Sequence, residues 1–228
     1  MKPFILLIIG LFSLSISAQN SANKQTFLKN IPYKIVEKDT VKLDIHLPTK
    51  KVYDKSPVVV FIHGGAWAQG DKEIKYHYTK GIKDTLQENG YTVVAINYRL
   101  VSKKVDIEEQ LNDCKDAVRW IAEHSDKYNF DTENIGLWGE SAGAHLALMI
   151  GCTADTSHKL PEIRFILDNF GPTDLNKVLK TNASWFTKKT YKILLPGLYD
   201  IREKLIFAMT SFDINTHKEE AIAVARQY

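Results

Sequence analysis

Residues 135–150 of this 228-residue chain read Ile-Gly-Leu-Trp-Gly-Glu-Ser-Ala-Gly-Ala-His-Leu-Ala-Leu-Met-Ile, and the reading of that stretch decides the fold. The first four residues form a short apolar run suited to a strand covered on both faces. Residues 142–150 suit a helix, ended by Gly151. Between them Gly139 and Gly143 stand two residues before and two after Ser141. Glycines so placed are what a strained strand-to-helix turn needs to present one side chain at the top of a sheet. The helix that follows directs N–H groups and partial positive charge toward the serine, which favours an oxyanion forming beside it. Ser141 is the candidate nucleophile; the competing reading is a structural tight turn.

Upstream, residues 58–62 are a continuous apolar, β-branched run that leads into His63-Gly64-Gly65-Ala66-Trp67. Glycines let a backbone approach a ligand closely, so this loop is an oxyanion candidate made of Gly64, Gly65 and Ala66, completed by Ala142. Each such donor is typically worth about 3 kcal/mol in a transition state. His63 precedes the serine and belongs to the loop, so it reads as a structural hydrogen-bonding residue rather than a base. Trp67 either shapes a pocket or packs.

The remaining pattern alternates strands and helices. Residues 33–47 alternate apolar and polar, with Val41, Leu43, Ile45 and Leu47 on one face, Lys42, Asp44 and His46 on the other, and a turn at Lys38-Asp39-Thr40. Ile74, Tyr78, Ile82 and Leu86 have helical spacing, stopped at Asn89-Gly90. Residues 91–96 read as the next buried strand and 165–170 as another strand. Asp106 and Glu109 resemble a capping box opening a helix with Ile107, Leu111, Cys114, Val118 and Ile121 on its apolar face. Such alternation predicts an α/β fold, a mostly parallel sheet with helices on both faces and an antiparallel N-terminal edge hairpin. Residues 176–210 read as a partly helical excursion in which aromatic residues such as Trp185 line a pocket or glue the excursion down. A last helix is expected over 215–226.

Composition sets the outer limits. The chain is 44% hydrophobic with a formal charge of +3, from 30 basic and 27 acidic residues spread along its length. That suits one domain and gives no charge block for a nucleic-acid partner. Lys2, the apolar run 4–16 and Ser17-Ala18-Gln19 read as a secretory signal over residues 1–18, leaving a single domain over 19–228, exported to the periplasm or the extracellular space. The run is shorter than the ~20 residues a membrane span needs. The two cysteines, Cys114 and Cys152, lack metal-site spacing, and export permits but does not require a disulfide between them. No cofactor or metal is expected. Asn182-Ala183-Ser184 is a formal glycosylation sequon.

Taken together, His63 to Trp67, Asn97-Tyr98-Arg99-Leu100, residues 135–147 and Asp-Asn-Phe-Gly-Pro-Thr-Asp-Leu at 168–175 resemble exported bacterial carboxylesterases of the α/β-hydrolase superfamily. The likeness is to the hormone-sensitive-lipase-like group and to the branch with acetyl-xylan and feruloyl esterases. It implies hydrolysis of carboxylic esters, acetyl or aromatic acyl, on polysaccharide or small alcohols. In that family a helix like 215–228 leads into a strand, a loop with the triad acid, another strand and a loop with the triad histidine. The sequence shows none of these, so the expectation is a domain lacking its last strands, with impaired turnover and an apolar sheet edge that invites self-association. Among later residues His145 reads as packing, and His158 and His217 as surface histidines. Asp168 and Asp174 are candidate substitute acids, with support of the Gly171-Pro172 turn the competing role. Two other readings stand beside the esterase: a non-catalytic ester- or glycan-binding protein, and a prolyl-oligopeptidase-type peptidase, against which His-Gly-Gly-Ala-Trp argues.

Overall fold

A computed structural model describes residues 26–152, 160–175, 184, 189, 203, 205–207 and 209–225. Residues 1–18, His158, Asn182, Trp185 and most of the 176–210 excursion lie outside the described residues.

Among the described residues six strands form one sheet in the order β1-β2-β4-β3-β5-β6. β1 (Phe27–Val36) and β2 (Asp39–His46) make the antiparallel hairpin, and β2 runs antiparallel to β4 (Thr92–Ile96). β3 (Ser56–Ile62), β4, β5 (Phe130–Glu140) and β6 (Ile163–Asn169) are mutually parallel where they pair. The fold is therefore the mixed α/β arrangement that the alternating pattern predicts. All seven residues of β3 are buried. Full burial of each Val, Ile or Phe side chain there contributes about 1.5–3 kcal/mol, which anchors the strand that carries the His-Gly-Gly loop.

Among the described residues the bounded helices are α1 (His77–Glu88), α2 (Ile107–Glu123), the single turn α3 (Ser125–Tyr128), α4 (Ala142–Cys152) and α5 (Lys218–Ala225). On one face Ile82 and Leu86 of α1 pack with Ile74 against Val59, Phe61, Val93, Ala95 and Trp138. On the other, the buried stripe of α2 joins Leu146, Ala147 and Ile150 of α4 over Val58, Val60 and Ile62. Asp106 caps α2 by accepting the Glu109 N–H at 3.1 Å, the first half of the expected capping box.

Several details differ from the pattern reading, each for a local reason. The hairpin turns at Glu37-Lys38, one residue early, where Glu37 adopts φ 53°. α1 begins at His77, not Ile74, and Tyr78 lies exposed because Thr79, Ile82 and Leu86 already supply the inward stripe. Gly151 lies inside α4 rather than ending it; a Cβ there would come within 2.5 Å of the Ile166 Cδ1, so the glycine lets β6 close on the helix. The last helix starts later, at Lys218, after Asp213 accepts the Asn215 N–H at 2.7 Å.

Asp44 is the largest departure. It alternates with solvent-facing positions yet is 1% exposed. Its carboxylate accepts the Asn30 N–H at 2.6 Å and pairs with the buried Lys72 ammonium at 3.1 Å. The polar face of β2 is thus covered by the chain that follows β3, with the charge neutralised inside. Cys114 and Cys152 are both free thiols, the first buried and the second exposed. Among the described residues the sheet ends at β6, where Phe165 and Leu167 are each 37% exposed.

Candidate functional site

Ser141 sits at φ 52°, in the left-handed region that costs a non-glycine residue energy and so persists only where its surroundings enforce it. Those surroundings are visible in the two motif glycines. A Cβ on Gly139 would lie 2.3 Å from the Ala144 Cα, and one on Gly143 would lie 2.1 Å from the Ile62 carbonyl oxygen. Both glycines permit α4 to start directly against β3 and β5. The Ser141 N–H donates to the Asn169 carbonyl at 2.9 Å, so the end of β6 fixes the elbow from its other side.

The His-Gly-Gly-Ala-Trp loop meets the elbow at backbone contact. A Cβ on Gly64 would stand 2.8 Å from the Glu140 carbonyl oxygen and 3.3 Å from the Ser141 Cβ. Gly65, Ala66 and Trp67 then follow with φ of 117°, 51° and 60°. For Ala66 and Trp67 this left-handed backbone costs energy and persists because the surroundings enforce it. The Gly65 carbonyl closes the turn by accepting from the Ala68 and Gln69 N–H groups at 3.1 and 3.0 Å.

What holds so strained a loop is the segment Asn97 to Val101, whose role the sequence reading did not assign. The Asn97 Oδ1 accepts the Lys72 N–H at 2.7 Å. The Tyr98 hydroxyl donates to the His63 carbonyl at 2.9 Å, and its ring stacks on the His63 imidazole. The Val101 N–H and the Gln110 Nε2 both donate to the Trp67 carbonyl, at 3.0 and 2.8 Å. Arg99 anchors the segment itself, binding the fully buried Asp113 through its backbone N–H, Nε and Nη2 at 2.8–2.9 Å. Lys34 reaches the same carboxylate at 2.6 Å. The signal was present as Asn-Tyr-Arg-Leu, but only the register of β4 beside β3 shows what it braces.

A cleft of about 380 Å³ opens beside Ser141, floored by Phe61 and Gly64 and walled by Glu140, Asp71, Glu73 and Tyr76. Burial pushes the Glu140 carboxyl above its ordinary pKa, and the Tyr78 hydroxyl bonds to it from α1. Tyr76 and Tyr78 lie nearly parallel at the rim, ring centroids 6.2 Å apart. His63 also borders the cleft. Burial lowers its pKa, and its Nδ1 bonds the Gly64 carbonyl at 2.7 Å, which makes Nδ1 the protonated nitrogen. The imidazole is therefore a brace within the loop.

The other candidate residues fall as follows. Trp67 is 3% exposed and packs edge-on to His145, 5.5 Å between centroids, inside the core; it does not line this cleft. His145 is buried on α4, its N–H bonded to the Ser141 carbonyl at 3.1 Å. Asp168 accepts the Gly171 N–H at 2.8 Å, the turn-supporting role. Asp174 is half-buried beside the buried Leu175. His217 is exposed, with its Nδ1 2.8 Å from the Thr216 hydroxyl. Among the described residues no cluster of His, Cys, Asp or Glu fits a metal ion, and no helix is long and apolar enough to cross a membrane.

Comparison with known proteins places this geometry. The BD-FAE family model matches residues 43–214, from β2 through the strands and helices that carry the site. The chain belongs to the BD-FAE family of α/β-hydrolases. This BD-FAE chain is 32% identical over 119 residues to Esterase LipC of Mycobacterium tuberculosis, which covers 51% of the chain and 28% of LipC. It is 27% identical to a truncated form of a carbohydrate esterase from gut microbiota, with a TM-score of 0.54 over 66% of this chain and 58% of that one. The hyperthermophilic esterase of Pyrobaculum calidifontis superposes with a TM-score of 0.63 at 20% identity, over 89% of this chain and 61% of its own. That likeness is one of fold. The match to LipC spans under a third of that protein's length. Esterases recur among the proteins this chain resembles, and it spans less than two thirds of the length of each of these three.

Proposed function

We propose that this protein is an exported serine hydrolase of carboxylic esters that uses Ser141 as its nucleophile. The observation that carries the proposal is the Ser141 backbone at φ 52°, held between two glycines that tolerate no side chain, with the Gly64 backbone against it. The serine attacks the ester carbonyl, and the N–H groups of Gly65, Ala66 and Ala142 receive the developing oxyanion. Family membership supports an ester rather than a peptide bond as the target.

The alcohol side of the substrate is proposed to be a carbohydrate or a small polar alcohol. Support comes from the likeness to a carbohydrate esterase and from the cleft itself, where the exposed Tyr76 ring and the carboxylates of Asp71 and Glu73 offer a stacking face and hydroxyl acceptors. The acyl group is proposed to be acetyl or aromatic.

Low turnover is part of the proposal. Of the described histidines, only His63 borders the Ser141 cleft, and its geometry is that of a brace. Acylation and deacylation are both expected to be slow, since one general base takes the serine proton in the first step and the water proton in the second, and its loss costs up to about 10⁶ in turnover. With p-nitrophenyl acetate the expected record is slow release of nitrophenolate with no fast burst, lost in Ser141→Ala. Sustained turnover at ordinary esterase rates, abolished by Ser141→Ala, would contradict the low-turnover claim. Saturable ester binding with no nitrophenolate release, unaffected by Ser141→Ala, would favour a non-catalytic binder. Self-association through β6 is also proposed, supported by the exposed Phe165 and Leu167; sedimentation of a concentration-independent monomer would oppose it.

A further inference from the structure

A second and larger cleft, about 660 Å³, lies at the other end of β3 from the nucleophile. Ser56, the first residue of β3, borders it, whereas the Ser141 elbow meets the chain just after the last residue, Ile62. Seven residues of strand set the two openings roughly 20 Å apart. A small molecule in one therefore makes no contact with the other.

The two clefts have opposite charge. Asp71, Glu73 and Glu140 border the Ser141 cleft, against the single Lys75. Lys50, Lys51 and Lys127 border the distal one, and among the described residues no carboxylate does. Lys51 has a partner in Asp54, at 3.4 Å on the open surface. Among the described residues neither Lys50 nor Lys127 has a carboxylate within ion-pair distance; the Lys127 ammonium lies 5.0 Å over the ring of Tyr128, its own neighbour. Between the lysines the lining is apolar and aromatic, with Leu47, Tyr53 and Tyr128 among it.

The cleft is also preformed. Ser56 donates to the Gly90 carbonyl through its hydroxyl at 2.8 Å and to the Asn129 carbonyl through its N–H at 2.9 Å. The Asn129 amide donates to the Asp54 carbonyl, and Gln87 bonds both Leu47 and Thr49 backbones. Gly90, at φ 87°, leaves no room for a Cβ beside Val52. The lysine-bearing loop is thus tied to α1, β3 and the end of α3 before any ligand arrives, which lowers the ordering cost of binding.

We propose that this distal cleft binds an organic carboxylate with an apolar or aromatic body, the lysines taking the acid and the walls the body. The proposal stands independently of the role given to Ser141. 4-Phenylbutyrate and its neutral counterpart 4-phenylbutanol test it, titrated into the full chain by protein-observed NMR or calorimetry. The acid is expected to bind saturably with a Kd of about 0.1–1 mM, weakening with added salt, and the alcohol about tenfold less tightly. Lys50→Glu with Lys127→Glu, both exposed substitutions checked by thermal melting, is expected to weaken the acid at least about tenfold, and Ser141→Ala to leave it unchanged. Equal affinity for acid and alcohol, an unchanged Kd in the lysine double variant, absence of saturation by about 10 mM, or shifts confined to the Ser141 cleft would each overturn it.

Discussion

Tyr98 holds His63 twice: the two rings stack with centroids 4.4 Å apart and planes 14° from parallel, and the Tyr98 hydroxyl donates to the His63 carbonyl at 2.9 Å. The contact joins the end of β4 to the end of β3 where the strained Gly65, Ala66 and Trp67 turn begins. Tyr98→Phe keeps the stack and removes the bond. It is expected to cost about 1 kcal/mol in urea unfolding and to slow acylation of Ser141 roughly tenfold without unfolding the chain. An unchanged acylation rate would show that the loop keeps its geometry without this bond.

Gly143→Ala is expected to be among the most damaging single-methyl additions in the chain. Its Cβ would stand 2.1 Å from the Ile62 carbonyl and 2.5 Å from that of His63, both backbone atoms that cannot step aside. Overpacking of this severity costs about 3 kcal/mol or more. Gly81→Ala is the control, since nothing lies within 4 Å of a Cβ there. Thermal melting of the two variants should separate them clearly.

Asp113→Ala leaves Arg99 and Lys34 without their shared, fully buried carboxylate. Glu109 remains on Arg99 and Asp116 on Lys34, so the expected cost is about 1–3 kcal/mol, that of a lost charged hydrogen-bond partner. The segment that braces the loop hangs on Arg99, so reactivity of Ser141 should fall together with stability.

The fold was legible because each strand carried its own burial pattern. Residues 58–62 were continuous and apolar, and the elbow was spelled by Gly139, Ser141 and Gly143 within six residues of helix-forming sequence. Two positions share a cause that no local pattern shows, a long-range partner that converts a polar position into an interior one. Asp44 alternated with solvent positions but faces Lys72, and Asp113 sat on an amphipathic helix but faces Arg99 and Lys34. Trp67 was ambiguous because an aromatic residue after two glycines suits a pocket or a core equally; the packing on His145 places it in the core. Tyr78 fitted the helical spacing of α1, yet it reaches Glu140 across the cleft rim, and no local pattern encodes that pairing.

Acid should weaken the fold through two histidines. Burial, then Lys83, lowers the His46 pKa to about 4, and burial also lowers that of His63. In the unfolded chain both titrate near 6.5. Above that pH neither state binds the proton and the groups contribute nothing to the pH dependence. As pH falls below 6.5 the unfolded chain binds protons that the folded chain refuses, so stability drops, and the His46 contribution levels off near pH 4. The combined loss is on the order of 1–3 kcal/mol. Urea midpoints measured between about pH 7 and pH 4.5 should fall, and less steeply in His46→Phe, which keeps the ring stack on Phe27. Parallel slopes for the two proteins would remove His46 from this account.

Intact-mass spectrometry after exposure to an activated phosphonate tests the nucleophile most directly. One adduct per chain is expected, located on Ser141 by peptide mapping, absent in Ser141→Ala and formed more slowly in Tyr98→Phe. A folded chain that forms no adduct, or that carries it on another residue, would contradict the assignment of Ser141 as the reacting group.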